Sequence, residues 1–172
     1  MKTAFLVLTL LLVVFILLFF ILGLISRSGK APGLVAGMLV RCSAPPNCVC
    51  SEQNEDALHF LEPILLSQDI TFDPLPILKN VVREMGGIIR AESDGYLAAT
   101  FSSAIFGFID DLEVRIDLTQ NMVHIRSASR VGYGDAGVNR KRSELLKKLY
   151  DQKVLEAKQL LMTTPKSGGH RF

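Results

Sequence analysis

Residues 4–25 run without a charge, and only Thr9 and Gly23 interrupt their leucine, valine, phenylalanine and isoleucine. A helix over such a run reaches across the roughly 30 Å of hydrocarbon in a bilayer. Whatever folds downstream therefore does so tethered beside a membrane, or follows a signal peptide that is removed. A signal's apolar core is shorter, roughly 7 to 15 residues, and Ser26-Arg27-Ser28-Gly29-Lys30-Ala31-Pro32 offers no convincing small-x-small cleavage site. The expectation is a retained single-pass anchor over residues 1–25 and a linker over 26–40. No lipid attachment is expected at Cys42, because Leu39-Val40-Arg41 precedes it.

Lys2 and the α-amino group nearly balance Arg27, Lys30 and Arg41 beyond the span, so loop charge does not orient it. The very short segment ahead of the span resembles an uncut export signal, which puts the folded part on the extracytoplasmic, periplasmic side. A formal net charge of +2 conceals a division along the chain. Residues 51–117 hold 13 acids against 4 bases, and residues 118–172 hold 11 bases against 4 acids. These halves attract each other and are expected to pair inside one fold.

Asp73-Pro74 opens the first clear globular element, since Asp is a favoured N-cap and Pro suits the first turn. Ile77, Val81, Val82 and Met85 then recur at helical spacing until Gly86-Gly87 stops them. Residues 88–93 read as a strand, Asp94-Gly95 as a hairpin turn and residues 96–103 as its partner. Leu112, Val114, Ile116 and Leu118 alternate with Glu113, Arg115 and Asp117, the pattern of a strand with one wet face. Val123, Ile125, Ser127 and Ser129 keep the inward parity of the next strand; that parity requires an even loop, and a two-residue turn would set Glu113 opposite Arg126. His124, Arg126 and Arg130 would then face water.

From Asn139, read as a cap, to Met162 the period is helical, with Leu145, Leu146, Leu149, Val154, Ala157, Leu160 and Leu161 as the stripe. Residues 41–50 read as a tight irregular loop, residues 55–72 as an extended or loosely helical segment, and residues 163–172 as a flexible tail. The expected fold class is α+β: a small antiparallel sheet of about four strands flanked by two helices, preceded by one N-terminal transmembrane helix. The domain should occupy residues 41–162.

Candidate chemistry concentrates late in the chain. Asp110 and Asp111 are neighbours in a strand and so point opposite ways, with Asp110 on the core side, where Ser127, Ser129 or an arginine would satisfy it. With Asp135 they could instead hold a divalent cation or supply an acid and a base. Gly132-Tyr133-Gly134-Asp135-Ala136-Gly137 fits G-x-G-x-x-G, but no second parallel strand with an acid follows, so these read as turn glycines. Arg140, Lys141 and Arg142 begin a helix whose dipole repels them. They require Asp110, Asp111 and Asp135, or an anion at the exposed amides. His59, His124 and His170 show no nucleophile at partner spacing.

Cys42, Cys48 and Cys50 lack a fourth ligand at zinc spacing. They either stay free or close one disulfide, with Cys42 to Cys48 the less strained loop. No metal and no cofactor are expected. The absence of Trp and of any aromatic platform argues against a nucleic-acid partner.

Three stretches carry a resemblance: Pro46-Asn47-Cys48-Val49, Phe106-Gly107-Phe108-Ile109-Asp110-Asp111, and Arg126-Ser127-Ala128-Ser129-Arg130-Val131-Gly132-Tyr133 with Asp135-Ala136-Gly137-Val138-Asn139-Arg140-Lys141-Arg142. Over about residues 40 to 150 the chain resembles the family known as domain of unknown function 1499, found in bacteria and plastids. Cys50 stands where that family has serine. The resemblance implies a compact α/β domain behind an export or anchoring segment, and no reaction. The leading functional expectation is a non-enzymatic cell-envelope module that binds a protein partner or an anionic ligand around Arg126, Arg130, Arg140 and Arg142. The alternatives are a hydrolase using Asp110 and Asp111 through a metal or through the carboxylates themselves, and a structural subunit of a larger membrane complex.

Overall fold

A computed structural model describes residues 1–67 and 73–163. The tail expected from residue 163 lies, past that residue, outside the described part, as do His170 and the end of the segment expected up to Phe72. The chain opens with helix α1 (Lys2–Arg27). Among the described residues it is the one helix long and apolar enough to cross a membrane, a test that a signal sequence also passes.

Two short strands, β1 (Leu34–Val35) and β2 (Met38–Leu39), form a small hairpin after it. Ala36 and Gly37 both take positive φ at its turn, the geometry a tight two-residue hairpin requires. The stretch expected as a linker is therefore structured. Next come β3 (Cys48–Cys50) and β4 (Ile64–Leu65), then α2 (Pro74–Glu84), whose N-cap Asp73 accepts from the Leu75 amide at 3.0 Å.

Strands β5 (Ile88–Ser93), β6 (Tyr96–Ser102), β7 (Ile109–Asp117) and β8 (Met122–Ser129) follow as a meander, and α3 (Val138–Thr163) closes the described chain. Asp94 and Gly95 turn β5 into β6, as the sequence predicts, and Glu113 pairs with Arg126 in register. Among the described residues the sheet has six antiparallel strands in the order β3-β8-β7-β6-β5, with β4 also on β8. Two more strands than expected arise because β3 and β4 are too short to show a period and lie among prolines. They extend the sheet only because β8 offers them an edge. The class is α+β, as expected.

One face of the sheet carries the main core. Val49, Leu97, Leu112, Val114, Val123 and Ile125 pack against Leu78, Val81 and Val82 of α2 and Leu146 and Tyr150 of α3. Each such side chain contributes about 2 kcal/mol by leaving water, so this layer holds the fold. Tyr150, one turn after Leu146, takes the core place expected of Leu145, which is exposed.

The opposite face corrects the expectation of a wet surface. Residues 31–42 fold back over it, and Leu39, Cys42, Cys48, Cys50, Tyr96, Ala98 and Ala128 form a second apolar cluster there. Glu113 and His124 are buried on this face, not solvated. Alternation in a strand records that one face is polar. It does not record whether water or protein satisfies that face.

Candidate functional site

The expected site residues fall on both faces of the sheet and do not gather at one place; of them, Asp111 and Arg130 border a cavity. On the α3 side, Asp110 meets Arg142 at 2.7 Å. The same guanidinium donates to Asn139 at 2.6 Å and to Ser127 at 3.2 Å, and lies 4.6 Å from the centre of the Phe101 ring. Asn139 accepts from Ser127 at 2.6 Å and donates its amide to Ser129 and to the Asn47 carbonyl, each at 2.9 Å. This network pins the start of α3 to β8 and to the loop before β3. Asn139 is thus a buried tie in the first turn, and not the cap expected of it. The capping group is Asp135, which accepts from the Gly137 amide at 2.9 Å and the Asn139 amide at 2.7 Å. Acidic charge at a helix start offsets the dipole.

Arg140 donates to the Phe60 and Leu58 carbonyls at 2.9 Å each. It is satisfied by backbone oxygens, a partner that no charge count could reveal. Gly132 and Gly137 have positive φ, and they serve the turn into α3.

On the other face a ladder of ion pairs runs beneath residues 31–42. Glu113, fully buried, accepts from Arg126 at 2.8 Å, from the Tyr96 hydroxyl at 2.7 Å and from the Gly33 amide at 2.9 Å. Burial and that bond to the carboxylate hold the Tyr96 phenol well above its ordinary pKa, so it stays a donor. Asp111 takes Arg130 through two bonds, at 2.8 and 2.7 Å, a geometry that keeps the guanidinium charged. Arg115 reaches Glu52 at 2.6 Å and Asp117 at 3.2 Å, and Glu52 also accepts from the Leu39 amide at 2.5 Å. Three of these pairs, Asp110 with Arg142, Asp111 with Arg130 and Glu113 with Arg126, join the acidic half of the chain to the basic half.

The carboxylates of the hydrolytic alternative are held apart. Asp110 and Asp111 are locked by different arginines on opposite faces, and Asp135 caps a helix. Among the described residues no group of three His, Cys, Asp or Glu side chains is placed to hold a metal ion. Ser51 stands 3.3 Å from His124 Nδ1, but Glu52 approaches the same nitrogen at 3.9 Å, and both the serine and the histidine are buried. Ser51 Oγ moreover accepts from the Ile125 amide at 2.8 Å. Burial lowers the His124 pKa, which keeps the ring neutral. Its Nε2 is buried without a hydrogen-bond partner among the described residues. Cys42 and Cys48 form a disulfide, and Cys50 is a buried thiol whose pKa burial raises, so it is a poor nucleophile.

A cavity of about 720 Å³ opens between the β5–β6 end of this face and the segment that follows α1. Ala91, Ala98 and Ala99 give it an apolar floor, and Thr100 and Ser102 bring hydroxyls. Arg27, Lys30 and Arg90 also line it, all exposed and none in an ion pair among the described residues. Arg90 donates only to Thr100 Oγ1, at 2.9 Å. The Asp111–Arg130 pair closes its wall. None of the three free cations was among the expected site residues. Arg27 and Lys30 figured only in the orientation of the span, because nothing in their spacing shows that the segment doubles back onto the sheet.

The family model described as "Protein of unknown function (DUF1499)" matches residues 38–149. No curated protein and no solved structure matches the chain. The matched stretch holds both polar networks and the disulfide, whereas Arg27 and Lys30 lie ahead of it.

Proposed function

Because this chain belongs to the DUF1499 family, we propose its function from its own geometry: a non-enzymatic, single-pass membrane module that binds a phosphate-bearing anionic ligand in the cavity beside its anchor. The observation that carries this reading is the cluster of Arg27, Lys30 and Arg90 around one cavity. Elsewhere on this face the described arginines are paired with acids, whereas Arg27, Lys30 and Arg90 are not, which leaves positive charge here for an outside partner. Guanidinium groups suit phosphate oxygens, which they can bind in pairs. A volume of this size accommodates a small molecule or a headgroup.

Retention of α1 is supported by its role inside the fold. Gly23 and Ser26 are buried against the domain. Ser26 Oγ accepts from the Ile109 amide at 3.0 Å, and its carbonyl accepts from Arg130 at 3.2 Å. A segment discarded on export would leave these groups open. Arg27 and Lys30 then stand at the end of the hydrocarbon, the level at which lipid phosphates lie.

The test uses the full chain in neutral detergent. Thermal unfolding is followed with short-chain phosphatidylglycerol, short-chain phosphatidylcholine or inorganic phosphate. Phosphatidylglycerol is expected to raise Tm in a saturable way, with at least tenfold weaker binding in the triple variant Arg27→Gln, Lys30→Gln, Arg90→Gln. Inorganic phosphate acting alone at similar concentration would point to a free phosphate as the ligand. If no anion binds, or the triple variant binds equally well, the reading fails.

A further inference from the structure

We propose that the β6–β7 loop, residues 103–108, is a second membrane contact that enters the boundary between headgroups and acyl chains alongside α1. The inference rests on the reading of α1 as a retained span, and it stands apart from any ligand in the cavity.

The loop is built against the side of the helix. The Phe106 ring lies 5.2 Å from Phe19 and 5.2 Å from Phe20, and Phe108 lies 6.1 Å from Phe19. At Gly23 the loop backbone touches the helix: an added Cβ would sit 1.9 Å from the Phe106 carbonyl oxygen. Phe19, Gly23 and Ser26 recur at the spacing of one helix face, and the loop runs along that face. Glycine at the crossing permits the close approach that packs elements within a membrane.

Depth follows from helix geometry. At 1.5 Å per residue, Phe19 lies roughly 12 Å below Arg27 along the axis. The uncharged run extends to Ile25, so Phe19 and the Phe106 ring upon it sit at acyl-chain level. Above them, the guanidinium of Arg27 lies over Gly107, where an added Cβ would be 2.7 Å from Nη2. That places a cation at headgroup height directly over an apolar tip.

The loop's own chemistry fits the lower medium. Residues 102–109 carry no charge. Ile105, at the tip, is 74% exposed, an apolar side chain with no protein to cover it. Backbone groups in lipid must be satisfied from within, and three of the loop's amides turn inward. The Ser103 amide donates to the Phe108 carbonyl at 2.9 Å, the Gly107 amide to the Ser103 carbonyl at 3.2 Å, and the Phe108 amide to Ser103 Oγ at 2.9 Å. The occupant of this apolar surface is the bilayer, because the surface is continuous with the face of the span itself.

The chain contains no Trp, so single substitutions create single fluorophores. Ile105→Trp reports the loop tip, Leu12→Trp the middle of the span, and Leu118→Trp, at an exposed position, the far end of β7. Each full-length protein is reconstituted in phosphatidylcholine vesicles containing phosphatidylcholine brominated at carbons 6 and 7 of one acyl chain. Ile105→Trp is expected to emit to the blue and to lose at least half its intensity to the brominated lipid, with Leu118→Trp unaffected. If Ile105→Trp behaves as Leu118→Trp does while Leu12→Trp is quenched, the loop stays in water and the proposal is overturned with the anchor intact. If Leu12→Trp is also unquenched, the spanning reading fails and takes the proposal with it.

Discussion

Glu113 shows how a residue with an ordinary place in an alternating strand acquires an unusual role. Its carboxylate is buried and takes a guanidinium, a phenol and a backbone amide. Removing one member of a buried pair leaves the other charge stranded, at about 3 to 5 kcal/mol. Glu113→Ala is therefore expected to lower stability by about that much in urea titrations. Glu92→Ala, which breaks the more exposed pair with Lys79, should cost under about 1 kcal/mol. Equal losses would mean that the ladder under residues 31–42 is not sealed from water.

His124 supplies a pH dependence with a definite sign. Its folded pKa is depressed, chiefly by burial, although Glu52 pulls the other way. The unfolded chain therefore takes up the extra proton as pH falls below about 6.5. Stability from this group is full above that pH and declines toward pH 5. The urea midpoint should drop between pH 7.5 and 5.5, and by less in His124→Gln. The pairing of Glu113 with Arg126 was legible from strand parity. The burial of both His124 and Glu113 was not, because the cover comes from residues 31–42, far away in sequence.

At the scale of elements, the clearest signals were those whose stops and starts are local. Asp73-Pro74, Gly86-Gly87 and Asp94-Gly95 mark the bounds of α2, β5 and β6 through capping and turn chemistry that acts within a few residues. β3 and β4 carried no such signal, since a strand of two or three residues exists only by virtue of the edge it joins. The entry to α3 lies between these cases. Both Asp135 and Asn139 are cap-forming types, and only the geometry assigns the cap to Asp135 and the buried tie to Asn139. Asp135→Ala is expected to cost about 1 kcal/mol, read as a lower midpoint of denaturation. Asn139→Ala should cost more, since it removes the buried acceptor of Ser127 and Arg142 and the donor to Ser129 and to the Asn47 carbonyl. If the order were reversed, the cap would have been assigned to the wrong residue.

At the scale of the molecule, the segment joining α1 to the domain is part of the fold. Leu39 is buried in the second cluster, and the Gly33 amide reaches Glu113. A chain beginning at residue 41 loses about 2 kcal/mol of apolar burial at Leu39. It loses about 2 kcal/mol more at the amide-to-carboxylate bond. Its chemical denaturation midpoint should fall well below that of a chain beginning at residue 29, which keeps both. If the two unfold together, residues 31–42 are a loose tether and the cavity above β5 and β6 has no fixed wall.

The sequence by itself determined the apolar N-terminal helix, the helix at Pro74–Glu84, the meander from β5 to β8, and the meeting of acids and arginines from the two halves around a serine-rich strand. These rest on period, capping and charge, which act between near neighbours or between whole segments. Only the tertiary structure decided that the polar face lies under residues 31–42, that Asp110 and Asp111 are divided between two networks, and that Arg27, Lys30 and Arg90 are left facing a cavity. Each of those outcomes depends on where a segment without period comes to rest, and that is fixed by the surface it finds and not by its own residues.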